Sequence, residues 1–163
     1  MTERAIRLFG DPVLKTVSDP ITSFDPGTRA LADDLLDSTL APGRAGVAAA
    51  QIGVNLRAFS YNVDDRTGYI INPEIVELSG EPELMDEGCL SVPGLWFPTL
   101  RYPFARVVGV DAVGNAVELS GTGVLAQAIQ HETDHLNGML YLDRLTPQLR
   151  RQAMKQIRES DWF

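Results

Sequence analysis

Apolar residues recur along this chain with two different periods, and each period predicts its own kind of element. A helical period follows Asp25 and Pro26, an N-cap and a first-turn proline, and predicts a helix to about Leu40 with leucines inward and aspartates outward. Short apolar runs and alternations predict strands at 56–63, at 69–78 and, as a hairpin, at 106–121.

Two more helices are predicted in the second half of the chain. An apolar run from Gly123 leads into His131-Glu132-Thr133-Asp134-His135, and Thr146 and Pro147 cap a final helix. Repeats, linkers and low-complexity tracts are absent from the sequence. We therefore expect a single α+β domain over 1–163, in which mostly antiparallel strands pack around the helix that begins at Gly123 and a C-terminal helix follows.

Composition and charge limit the classes of protein to which this chain can belong. With 163 residues, 44% hydrophobic and 22% charged, the chain is typical of one soluble globular domain. A formal charge of −8 argues against a DNA-binding protein, although a local basic patch stays possible. The single cysteine, the lack of a signal segment and the lack of a run of about 18 apolar residues predict a reduced, cytoplasmic protein with no membrane span.

The segment His131-Glu132-Thr133-Asp134-His135 contains both histidines of the chain. On a helix, residues at i and i+4 lie on one face, about 5–6 Å apart at Cβ, so both imidazoles can bind one metal ion. Glu132 lies at the edge of that face, where it can accept a proton from a metal-bound water. The alternative is a buried helix whose histidines are hydrogen-bonded core residues.

A catalytic metal usually has three protein ligands and one open position, so a third ligand is needed. In one class of proteases with this motif it is a later histidine, but Tyr141 stands at that position. In another class it is a later glutamate, but Glu159 lies near the end of an apparently surface helix. Cys89 is the best remaining candidate because a thiolate is a strong ligand, although a lone buried cysteine is usually inert.

A run of small residues from Gly46 to Gly53 contains Gln51. Small side chains let another backbone, or that of a ligand, approach closely. Tight packing of a buried strand is the simpler interpretation of this run taken alone. Gln51 weakens it, because a buried primary amide needs hydrogen-bond partners.

Three segments together resemble the motifs of bacterial peptide deformylases in order and spacing. They are Gly46-Val47-Ala48-Ala49-Ala50-Gln51, Glu87-Gly88-Cys89-Leu90-Ser91 and Gln130-His131-Glu132-Thr133-Asp134-His135. Similar segments at 10–14 and 136–145 extend the resemblance over nearly the whole chain. It implies a metal-dependent hydrolase that removes the formyl group from the N-terminal formyl-methionine of nascent polypeptides and releases formate.

The resemblance implies a metal site formed by Cys89, His131 and His135. By rule these ligands suit zinc. The family, however, commonly works with ferrous iron, which zinc, nickel or cobalt can replace, so we expect one divalent ion per chain, iron first.

Catalytic and substrate-binding roles follow from the same resemblance. Glu132 would be the general base and then the acid, while the side-chain amide of Gln51 and the backbone N–H of Leu90 would stabilise the oxyanion. The candidate substrate-binding residues are Val124, Gln127 and Ala128, which share the helix face of the histidines, together with Met85 and the closely approached Gly46 and Gly88. The segment 95–97 is a further candidate for the pocket wall.

One residue departs from the family pattern. The first motif usually has a second glycine two residues before Gly46, and Arg44 stands there. Arginine does not readily adopt the positive φ that glycine allows, and it places a long cation at the mouth of the cleft. We expect an effect on substrate range or rate rather than loss of activity.

Two other functions fit parts of the sequence. A zinc peptidase using the same helix would cleave internal peptide bonds and would not need Cys89 for its metal. A non-enzymatic binding module with a structural metal would need a closed four-ligand site, which the cysteine and histidines of this chain do not supply.

The final helix is basic although the protein is acidic. Its cations are Arg150, Arg151, Lys155 and Arg158, and no acid occurs from 148 to 158. A solvated face is the simpler interpretation. The resemblance implies instead that this helix docks on ribosomal RNA, which makes the ribosome a second expected partner beside formyl-methionyl peptides.

Overall fold

A computed structural model describes residues 2–163. Its helices are α1 (Pro26–Thr39), α2 (Gly123–Leu136) and α3 (Pro147–Arg158). Its strands are β1 (Gly46–Ala48), β2 (Ala58–Val63), β3 (Arg66–Ser79), β4 (Glu83–Cys89), β5 (Val92–Arg101), β6 (Phe104–Val110) and β7 (Ala116–Thr122). The predicted helices and strands are present, with small shifts at their ends.

Two antiparallel sheets divide the strands. The five-stranded sheet has the order β1-β2-β3-β6-β7, and β4 pairs with β5 in a separate two-stranded sheet. Strands β1 and β4 therefore each have one edge that no other strand of residues 2–163 covers. The prediction of an α+β fold with mostly antiparallel strands around a central helix is confirmed.

The first helix is capped as expected, but its two faces differ from the prediction. The carboxylate of Asp25 accepts a hydrogen bond from Thr28 N at 3.1 Å. Leu40, expected inward, lies after the last turn and is 61% exposed. Asp34, expected outward, is only 7% exposed because the guanidinium of Arg4 pairs with it at 2.8 Å.

Helix α2 lies at the centre of the molecule. Leu125, Ile129 and Leu136 pack against Phe59 and Val107 of the large sheet in one apolar core. The rest of the helix is also largely buried but polar, and its buried polar side chains are Gln130, Glu132, Thr133, Asp134 and His135. Since buried polar groups need partners, this half of α2 defines the site.

The hairpin of β4 and β5 was not predicted as strands, because Pro93, Gly94 and Pro98 interrupt its pattern. Helix α3 covers β5 from one side, with Ala153 and Ile157 buried in a cluster that contains β5 residues. The C-terminal helix therefore packs on the same cluster as Val92, the first residue of β5 after the turn. In the described part of the chain, no helix is long and apolar enough to cross a membrane.

Candidate metal centre

Three potential ligand atoms meet where α2 faces the end of β4. One donor atom each from Cys89, His131 and His135 lies within 4.8 Å of the other two. The Sγ atom of Cys89 is 3.4 Å from His135 Nε2, which is 3.2 Å from His131 Nε2. A thiolate and two imidazoles in this arrangement fit zinc or a first-row transition metal such as ferrous iron.

The environment of the histidines also favours a bound cation. Burial and the charge of His131 hold the pKa of His135 well below its ordinary value, so His135 is neutral and can act as a ligand. Burial opposes a charge on His131, but its interactions with Cys89 and Glu87 outweigh this and raise the pKa of His131 well above its ordinary value. A site that attracts a proton in this way also attracts a metal cation.

A buried charge network fixes the orientation of the His131 ring. His131 Nδ1 is 2.7 Å from Glu87 Oε2, which leaves Nε2 to face the other two donors. Arg101, 2% exposed, donates to Glu87 through Nε and Nη2 at 2.8 and 2.5 Å, and to Asp134 through Nη1 at 2.8 Å. Burial opposes the charge of Glu87, yet the hydrogen bonds from Arg101 and His131 lower its pKa to about 2.

Glu132 is 3% exposed and lies beside the donor cluster. Its Oε2 atom has no hydrogen-bond partner among residues 2–163, and burial raises its pKa to about 7. The backbone of β1 comes so close that a Cβ on Gly46 would lie 2.9 Å from Glu132 Oε1. Glycine at this position therefore leaves room for the carboxylate itself.

The amide of Gln51 points toward the cysteine. Its Oε1 accepts a hydrogen bond from Ala48 N at 3.0 Å, which orients the side chain. Its Nε2 donates to Ser91 Oγ at 3.2 Å and lies 3.7 Å from Cys89 Sγ. The buried amide nitrogen of Gln51 therefore has its hydrogen-bond partners in the segment around the cysteine. Leu90 lies in the same segment, in the turn between Cys89 and Ser91.

A cleft of about 590 Å³ opens over the site between β1 and β4. Its lining residues include Gly46, Gly88, Val124, Gln127 and Ala128 from the predicted substrate set, together with Gln51, Cys89, Leu90, His131 and Glu132. Leu95 and Trp96 also line it, and the Trp96 ring lies so close to Gly88 that a Cβ there would be 2.8 Å from it. Met85 is not among the lining residues.

Known proteins are similar to this chain in sequence and in fold. Residues 3–151 match the family model described as polypeptide deformylase. The chain belongs to the polypeptide deformylase family. A peptide deformylase of Acidothermus cellulolyticus is 50% identical over 163 residues, covering 99% of this chain and 89% of the relative.

Solved deformylase structures agree with the fold. A peptide deformylase from Legionella pneumophila has a TM-score of 0.89 at 34% identity, covering 97% of this chain and 95% of that chain. A peptide deformylase from Ehrlichia chaffeensis, in complex with actinonin, has a TM-score of 0.88 at 33% identity and covers 99% of both chains. The predictions of a peptide deformylase and of its fold class are confirmed.

Sequence reasoning missed the charge network of this deformylase. A usable signal was present in β5, where Leu95, Phe97, Thr99 and Arg101 alternate toward the interior. That alternation places an arginine among buried positions, and a buried cation needs acidic partners. The identity of the partners, Glu87 and Asp134, becomes visible only in the folded molecule.

Arg44 is among the residues that line the cleft. Its guanidinium donates to Ser38 O at 2.5 Å and is 3.5 Å from a carboxylate oxygen of Glu3. The side chain thus ties the end of α1 to the loop before β1, and it is 18% exposed.

Proposed function

We propose that this deformylase hydrolyses the formyl group of N-terminal formyl-methionine on new polypeptides and releases formate. The observation that carries the proposal is a Cys-His-His donor cluster beside a buried carboxylate, all at one cleft. One oxygen of that carboxylate has no hydrogen-bond partner among residues 2–163. Family membership supports the same reaction.

Cys89, His131 and His135 would hold one divalent metal ion, with iron the first candidate and zinc, nickel or cobalt as substitutes. When bound, such an ion acts as a Lewis acid that makes a water molecule easier to deprotonate near neutral pH. Glu87 orients His131 for this role through the 2.7 Å contact with Nδ1.

Glu132 would carry the proton through the reaction. It takes a proton from the attacking water as the water oxygen bonds to the formyl carbon and the carbonyl electrons move to the formyl oxygen. It then gives that proton to the methionine nitrogen as the C–N bond breaks and the carbonyl re-forms. Formic acid and a free amine leave, and the formic acid ionises to formate in water. The buried position of Glu132 beside His131 supports this assignment.

Gln51 and Leu90 would stabilise the negative charge that develops on the formyl oxygen. The amide nitrogen of Gln51 faces the cysteine, and the Leu90 N–H belongs to the turn that follows it. Preorganised donors of this kind can each be worth about 10²–10³-fold in kcat.

The cleft can accept an extended peptide. It lies between the uncovered edges of β1 and β4, whose backbone groups can pair with a substrate backbone. Val124, Ala128 and Leu95 supply apolar surface for the methionine side chain.

Release of formate from formyl-Met-Ala-Ser by anaerobically prepared protein tests the proposal. We expect turnover that a chelator abolishes and that added ferrous, nickel or cobalt ion restores. Cleavage of an internal peptide bond without formate release would instead identify a zinc peptidase and would contradict the proposal.

The ribosome is a proposed second partner, through α3. The cations of α3 are all exposed, although Arg150 is partly neutralised by Asp143 at 2.7 Å. An exposed basic face on a protein of net charge −8 is the feature that supports docking on RNA.

A further inference from the structure

Both ends of the chain converge on the turn that follows Cys89. We define the strap as two segments, the arm Arg7–Phe9 and the tail Trp162–Phe163. In the arm, Phe9 N donates to Ser91 O at 2.8 Å and Arg7 N donates to Gln51 O at 2.6 Å. The arm therefore binds the backbone of both Gln51 and Ser91. The side chains of these two residues are joined by the hydrogen bond from Gln51 Nε2 to Ser91 Oγ.

The tail binds the start of β5, directly after the same turn. Trp162 Nε1 donates to Pro93 O at 3.1 Å, and the Trp162 side chain packs against the cluster that contains Val92, against which Cys89 also packs. The tail also contacts the arm, because the rings of Phe163 and Phe9 have centroids 6.0 Å apart. The strap is therefore continuous around the turn.

The position of this turn controls two groups of the proposed mechanism. Leu90 N–H lies within it, and Gln51 Nε2 is bound to Ser91 Oγ of the same turn. A displacement of the turn moves both oxyanion donors relative to the metal ligands on α2, which belongs to a different packed unit. Misplacing a catalytic group by about 1 Å can cost about 10²-fold in rate.

We propose that Trp162 is a positioning residue, which acts through its bond to Pro93, and through Phe163 on Phe9, to hold the oxyanion donors Leu90 N–H and Gln51 in place. The proposal rests on the proposed function of these two donors. Trp162 lies outside residues 3–151, the part of the chain that the family model matches.

Two variants and one control test the proposal. Trp162→Ala removes the ring and the hydrogen bond, whereas Trp162→Phe keeps an aromatic ring and removes only the bond to Pro93. Met154→Ala is the matched control, because Met154 packs on the same cluster from α3 and its thioether has no donor for the carbonyl of Pro93. Metal content, kcat and KM for formyl-Met-Ala-Ser are measured for each folded variant.

Trp162→Ala should lower kcat about tenfold with KM within about twofold and with full metal content, since oxyanion donors act on the transition state. Trp162→Phe should show a smaller loss in the same direction, and Met154→Ala should keep the wild-type kcat. A loss of less than about threefold in Trp162→Ala, or an equal loss in Met154→Ala, would overturn the proposal.

A spectroscopic readout separates this proposal from the proposed function. In ¹H–¹⁵N spectra, Trp162→Phe should shift the Leu90 amide and the Gln51 side-chain amide while leaving amides of α1 unchanged. Unchanged signals for both donors would refute the positioning role. If the wild type released no formate, the proposed function would fail, and the spectra would still report whether the strap holds the turn.

Discussion

At the residue scale, the chemistry depends on a few polar atoms that burial isolates from water. Glu132 is the clearest case, because Oε2 lacks a hydrogen-bond partner among residues 2–163 and its pKa is raised to about 7 by burial. A carboxylate in this state can exchange a proton near neutral pH. Its chemical role can therefore be tested by one nearly isosteric substitution.

Glu132→Gln should lower kcat by about 10²–10⁴-fold, because general acid–base assistance is worth that much and the amide cannot carry the proton. KM should change far less, since the cleft and its backbone edges are intact. Steady-state formate release with metal-loaded protein measures both constants. Retention of more than about a tenth of wild-type kcat would contradict the assignment.

Cys89→Ala should lose most of its metal, because one of three donors disappears and only the two histidines are left. Elemental analysis after dialysis measures the content, and Glu132→Gln is the matched control that should keep its metal. Near-stoichiometric metal in both variants would remove Cys89 from the site.

At the element scale, α3 has two different faces. Ala153 and Ile157 are fully buried against the β5 cluster, whereas the cations point outward. Since Arg150 already pairs with Asp143, Arg151 and Lys155 are the better probes of RNA binding. The helix can be altered on one face without disturbing the other.

Charge reversal of Arg151 and Lys155 should weaken salt-sensitive ribosome binding and reduce its salt slope by about two, one for each lost phosphate contact. Hydrolysis of a short formyl peptide should be unchanged. Co-sedimentation at several salt concentrations measures binding, with Arg29→Glu on α1 as the control. If the double variant sediments with ribosomes like the wild type, α3 is a solvated face.

At the scale of the whole molecule, one buried charge network joins the two-stranded sheet to the central helix. Arg101 on β5 bridges Glu87 on β4 and Asp134 on α2, and Arg144 binds Asp134 at 2.6 Å from the following segment. The same network holds His131 through Glu87. Stability and metal geometry therefore depend on one set of contacts.

Arg101→Met should destabilise the fold by about 3–5 kcal/mol, because it leaves the buried Glu87 without its guanidinium partner and removes one of the two cations that bind Asp134. Arg106→Met is the matched control, since Arg106 is 37% exposed and its ion pairs with Glu77 and Glu118 are 3.6 and 3.5 Å long. It should cost less than about 1 kcal/mol. Urea unfolding of both variants measures the difference, and similar losses would show that the network does not stabilise the fold.

Local pattern in the sequence was enough to predict most of the secondary structure. Several predicted features depend only on residues that are close together in the sequence. They are the cap at Asp25, the alternation in β6 and β7, and the apolar stripe of α2. The same holds for His131 and His135, whose spacing of one helical turn places both rings on one face. Cys89 was reached by elimination, because the chain has no other thiol and no other histidine.

Tertiary structure alone decided which charges are buried and what holds the turn after Cys89. Arg101 meets Asp134 across 33 positions and Trp162 meets Pro93 across 69, distances along the chain that no local period encodes. Asp34 was misjudged for the same reason, since its partner Arg4 lies 30 residues away. Sequence by itself determined the helices, most of the strands and the candidate ligands. Packing of distant segments determined how those ligands are oriented, because buried polar groups need hydrogen-bond partners and only the fold brings those partners together.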